Sequence, residues 1–264
     1  MTAAAVGSRT VPSPRAALDD SRAGRDDVRA AMDAALAARP SSASRAVAYQ
    51  RVLHQLVRRE LRMLAELAAW APDDEAVRTA TLTRHAELMG RVLLHHHAVE
   101  RDSLWPALLR TLPAERAGNA RDALDDWADR CARIDNLLRD VGTAGRQWRV
   151  CGSAATRNVF AATCRVLAEA VDDQTRAEER TLLPLLGAHL ESQEWTTIAR
   201  SSHCRLSPRE QMLVLGLALE DACAGDRARL LDGLPRASRA AWRLTGGRHY
   251  RTAVVRLRGE PPAA

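Results

Sequence analysis

His96-His97-Ala98-Val99-Glu100-Arg101-Asp102-Ser103-Leu104-Trp105-Pro106 recurs, altered, as Gln174-Thr175-Arg176-Ala177-Glu178-Glu179-Arg180-Thr181-Leu182-Leu183-Pro184. Each copy has an upstream partner on an apolar stripe. His54 stands 42 residues before His96, and Cys131 stands 43 residues before Gln174. The two halves are therefore offset by 77 or 78 residues throughout, which predicts an internal duplication of a helix pair. The first copy carries metal-ligand residue types, and the second has lost both nitrogen ligands.

Working outward, the 3.6-residue periodicity predicts four long amphipathic helices, over 45–71, 74–109, 113–141 and 153–186. His54 lies on the stripe with Val57, Leu61 and Leu64, and His96 and Glu100 lie on that of Leu82, Met89, Val92 and Leu104. Cys131 shares a stripe with Trp127, Ile134 and Leu138, and Gln174 and Glu178 share one with Phe160, Leu167, Val171 and Leu182. Pro72 ends the first helix, Pro106 marks a kink or final turn, and Gly142-Thr143-Ala144-Gly145 reads as a linker or cap. The expected fold is all-α: an antiparallel four-helix bundle made from the duplicated pair, with a small helical C-terminal extension. Residues 1–44 read as a disordered or partly helical N-terminal segment, with a short helix at Asp26–Ala38. The bundle spans 45–190 and the extension 191–264. Within the extension, Ser207-Pro208-Arg209-Glu210 is a capping-box start of a helix to about Cys223, and shorter helices follow at Asp226–Leu231 and Arg236–Leu244. This part is expected to pack on the bundle or to bind a protein partner.

Composition bounds the function. The 264 residues have 3% aromatics, and all 39 basic residues are Arg, for a net charge of +6. Arg and Asp/Glu are interspersed, the pattern of solvated helix faces, which speaks against nucleic-acid binding. The five cysteines form no C-x-x-C pair, and the N-terminus has no apolar signal region, which points to the reduced cytoplasm. No apolar run approaches 18 residues, so no membrane span is expected.

A His and a Glu four residues apart share one helix face. Projecting inward from facing helices, such residues build carboxylate-bridged metal centres. A buried Glu is costly without a cation or partner, so Glu100 and Glu178 must be satisfied by something. The alternative is a metal-free polar core in which Gln174 hydrogen-bonds Glu178 or Glu100, His54 is an ordinary core histidine, and Cys131 is a small hydrophobe. His85 shares the face of His96 but lies about 16 Å along the axis, outside any common shell. His95 and His97 flank the stripe as surface or supporting groups. His203 and Cys204 read as structural.

These residues resemble the haemerythrin-like HHE cation-binding family. The matches are His54-x-x-x-Arg58-Arg59-Glu60-Leu61, His95-His96-His97-x-x-Glu100-x-x-x-Leu104-Trp105-Pro106, Cys131-x-x-Ile134-Asp135, and Glu178-Glu179-x-x-Leu182-x-Pro184. Leu234-Pro235 and Trp242-Arg243 resemble the C-terminal extension of actinobacterial members. The resemblance implies a non-haem iron site with His54, His96, Glu100 and Glu178 as ligands. Cys131 and Gln174 stand where the family has His, and His97 and Glu179 are weaker candidates. One ion is therefore expected rather than two, with Mn or Zn also suited to the ligand set. The implied roles are O2, NO or redox sensing, or iron handling. The competing class is a degenerate, metal-free bundle that acts as a protein-interaction module. A third class is a catalyst using a mononuclear site for oxidative or hydrolytic chemistry, for which the sequence offers no substrate-pocket signature.

Overall fold

The computed structural model describes residues 42–259, apart from 203. The expected N-terminal helix at Asp26–Ala38, and His203, lie outside the described residues. Every regular element among the described residues is helical. The long helices are α1 (Ser42–Ala69), α2 (Ala76–Val99), α4 (Ala114–Cys151) and α5 (Ala154–Thr181). The shorter helices are α3 (Trp105–Thr111), α6 (Leu183–His189), α7 (Ser192–Ser201), α8 (Pro208–Glu220), α9 (Ala224–Gly233), α10 (Arg236–Ala241) and α11 (Gly247–Arg258). In this all-α bundle α1 packs on α2 and α5, and α4 packs on α2 and α5.

The connections explain the packing. α1 stops before Pro72, whose ring cannot continue a helix. The α1–α2 turn touches the α4–α5 turn, where the Asp74 N–H donates to the Gly152 carbonyl at 3.2 Å. Gly152 ends α4 in the left-handed conformation at φ 65, and a Cβ there would sit 2.9 Å from Asp74 Oδ1. Glycine meets both demands.

One expectation about a break is corrected. Residues 142–145 are not a linker, because α4 runs straight through them. Gly145 is there for closeness, since a Cβ would lie 3.3 Å from the Phe160 ring and 3.4 Å from Thr83. A missing side chain lets α4 approach α5 and α2, and that gain outweighs the helix cost of glycine. At Pro106, read as a kink or final turn, the helix is irregular but not broken. The chain widens into a π turn at Glu100–Leu104 and continues as α3, with Pro106 in the first turn where no donor is needed. The second copy breaks differently: α5 ends at Thr181 and α6 restarts at Leu183 ahead of Pro184.

Two apolar clusters fill the interior. One contains Leu56, Leu61, Met89, Leu93, Ile134, Trp148, Phe160 and Val171. The other contains Val99, Leu104, Trp105, Trp127, Cys131, Leu182 and Leu186. On α2 the changeover falls between Leu93 and Val99, around His96, and on α5 between Val171 and Leu182, around Gln174 and Glu178. A polar layer thus crosses the bundle at one height.

The C-terminal part packs on α1 through α7, α8 and α9, and α11 packs on α8. Ser207 and Glu210 form the reciprocal cap the sequence predicts. α7 and α11 are absent from the sequence reading, the latter because Gly246-Gly247 looks like a break. Ion pairs fasten the packing. Arg258 on α11 reaches Glu60 of α1 at 2.9 Å and Glu220 of α8 at 2.6 Å, and Arg51 reaches Asp226 of α9 at 2.9 Å. No helix among the described residues is long and apolar enough to cross a membrane.

Candidate metal centre

α1 delivers His54, α2 delivers His96, the first residue of the π turn is Glu100, and α5 delivers Glu178. All four are essentially buried, at 0%, 1%, 0% and 2% exposure. One ligand atom from each lies within 4.8 Å of all the others. His54 Nε2 is 3.3 Å from Glu178 Oε1, and His96 Nε2 is 3.3 Å from Glu100 Oε1. Neither pair is aligned as a hydrogen bond: His54 Nε2, both His96 nitrogens, Glu100 Oε2 and Glu178 Oε1 are buried without a hydrogen-bond partner. Buried polar atoms are almost always paired, so this concentration of unpartnered polar atoms at one point calls for an explanation. The donor set, two imidazoles and two carboxylates, is one that a divalent first-row cation accepts.

The outward atoms of the same residues are held. The Gln50 amide donates to Glu100 Oε1 at 2.8 Å, and the Gln174 amide donates to Glu178 Oε2 at 2.8 Å. His54 Nδ1 lies 3.1 Å from Glu179 Oε1, and Arg58 Nη2 donates to the same oxygen at 2.8 Å. An ionised carboxylate only accepts, so His54 Nδ1 carries a proton towards Glu179 and Nε2 points inward.

The electrostatics follow from burial and charge. Burial alone would lower the His54 pKa, but Glu178, joined by Glu179, pushes it up to about 9. Burial holds His96 well below its ordinary value, so its ring is neutral. Burial and the neighbouring Glu178 push Glu100 well above the usual carboxylate range. Burial opposes ionisation of Glu178 as well, but the His54 charge overcomes it. The core of the metal-free protein is therefore neutral overall, with His54 positive, Glu178 negative, and Glu100 and His96 uncharged. A divalent cation in place of two protons would keep it neutral.

The remaining candidates divide. Gln174 is in the layer, bonded to Glu178. Cys131 is buried beside it, and burial, with the charges of Glu100 and Glu178, raises its pKa far above an ordinary thiol. With no metal bound it stays protonated. Glu179 buttresses His54. His97 is not on the surface but 3% exposed, its ring edge-on to Trp127 at 6.2 Å, and burial lowers its pKa to about 4. His85 is remote, as its spacing requires, and pairs with Glu60 at 2.8 Å. Gln50 was missed. It lies one turn before His54 on α1, and a buried glutamine at that spacing was the available signal. A crevice of about 200 Å³ between α4 and α5, lined by Trp127, Arg130, Arg180, Gln174 and Glu178, leads from the surface towards the layer.

The family description Hemerythrin HHE cation binding domain matches residues 45–186, just over half of the chain. This chain belongs to the haemerythrin HHE family. No curated protein and no solved structure matches it. The match covers all four haemerythrin helices and the whole buried His/Glu cluster, and leaves the C-terminal helices outside it.

Proposed function

We propose that this haemerythrin-type bundle binds one metal ion, iron first, through His54, His96, Glu100 and Glu178, and that it serves in sensing O2, NO or redox state or in iron handling in the cytoplasm. The observation that carries this reading is the set of partnerless buried donor atoms within 4.8 Å of one another. A bound iron would supply an open coordination position and a one-electron redox change. The chain's own residues do the rest. Glu179 and Arg58 orient His54, Gln50 and Gln174 orient the two carboxylates, and the flanking apolar clusters keep bulk water out. The α4–α5 crevice is narrow enough to favour small ligands. A second ion is not part of this reading, because Cys131 and the weak neutral donor Gln174 replace the imidazoles it would need.

Metal content after anaerobic purification tests the proposal. Close to one iron per chain in the parent, and none in folded His96→Ala, is the expected result. A parent that stays metal-free after iron, manganese and zinc are each offered would sink it. That outcome would favour the second reading, an interaction module with a metal-free polar layer, which draws on the two glutamine–carboxylate bonds at 2.8 Å.

A further inference from the structure

A cleft of about 780 Å³ opens between α2, α8 and α11, away from the His/Glu layer. Its chemistry is two-sided. Leu88, Leu213 and Leu257 form an apolar floor, and Leu244 stands exposed at the rim. Four arginines line the edge: Arg84 from α2, Arg209 from the first turn of α8, and Arg248 and Arg256 from α11. The last two are eight residues apart on one face, about 12 Å along the helix. None of the four guanidinium groups has an ion pair or side-chain hydrogen bond among the described residues. What sets these four apart is their place: they ring one cleft with an apolar floor. The lining holds one carboxylate, Glu210, and it is already engaged by Arg91 and by the Ser207 N–H at 2.8 Å.

We propose that this cleft binds a small amphipathic anion, an acyl chain ending in a carboxylate. Four guanidinium groups over low-dielectric walls focus a positive potential into the cleft. The planar fork of each matches a carboxylate in bidentate fashion. The volume falls in the range of small-molecule sites, which are mainly apolar with a few placed polar groups. The leucine floor sets the occupant apart from simple anions, which would leave it wet. It also sets the occupant apart from a nucleic-acid duplex, whose phosphates would meet the arginines and leave the leucine floor uncovered. Because α2 belongs to the bundle while α8 and α11 belong to the C-terminal part, an occupant would also join the two.

The test is isothermal titration of the full chain with decanoate below its micelle concentration, beside acetate and a short DNA duplex. Saturable one-to-one binding of decanoate, with no measurable binding of acetate, is expected. Arg84→Ala with Arg248→Ala removes two exposed guanidinium groups that brace nothing, so the fold should persist. Decanoate affinity should fall ten-fold or more, the scale of a lost charge-assisted contact. Equal binding of acetate, or binding of the duplex without decanoate, would replace the proposal with a simple anion site or a nucleic-acid face. Failure of decanoate to bind, or unchanged affinity in the double variant, would overturn it outright.

Discussion

His54 Nδ1 meets Glu179 Oε1 at 3.1 Å, and this contact turns Nε2 of the same ring towards Glu178. Glu179 lies at the bundle's edge and is itself held by Arg58. The histidine therefore enters the polar layer already oriented, its ring fixed from outside.

Glu179→Gln is expected to leave the ligand set intact but loosen it. Partners of this kind behind a ligating histidine typically contribute about 10–100-fold in metal affinity. A competition titration against a chromogenic chelator would read the change. Stoichiometry should stay at one while affinity falls; unaltered affinity would show that the contact is incidental.

Cys131→His with Gln174→His should rebuild a second metal position. Both side chains already lie beside Glu100 and Glu178, so the backbone need not move. Added core volume costs about 1–3 kcal/mol, which metal binding offsets. Iron content rising from about one towards about two per chain, with an oxo-bridged absorption band, is the expected outcome.

Acid stability should carry the signature of Glu60. Burial opposes its ionisation, but His85 and Arg59 hold its pKa down to about 2. A depressed folded value means stability that is present above about pH 4.5 and lost as pH falls through about 2. The drop of about 2.5 pH units corresponds to about 3 kcal/mol. Urea unfolding of the parent and of Glu60→Gln should differ by about that much at pH 6, and the gap should close by pH 2. A gap independent of pH would assign the effect to packing instead.

Arg258→Ala should loosen α11 from the bundle. It strips partners from Glu60 and Glu220, both largely buried, and breaking such a pair commonly costs about 3–5 kcal/mol. Limited proteolysis should then cut first within residues 234–259, while the far-UV helical signal falls only slightly.

Much of this architecture could be read in the chain itself. The 77–78-residue offset and the apolar periodicity placed four helices, and put His54, His96, Glu100 and Glu178 on inward stripes at one height, because a helix converts residue spacing directly into position along one face. What happens between helices has no such local signal. Gly142–Gly145 looks like a break, yet α4 passes through it, since the Phe160 ring and Thr83 occupy the space a Cβ would take. Pro106 signals a kink or final turn, but that the irregularity is a π turn at Glu100–Leu104 is not legible from it. The second sphere was hidden for the same reason: Gln50 meets Glu100 across 50 residues, Glu179 meets His54 across 125, and Arg258 meets Glu60 across 198. Spacing along one helix decides which side chains face inward; only the packing of helices against one another decides which of them touch.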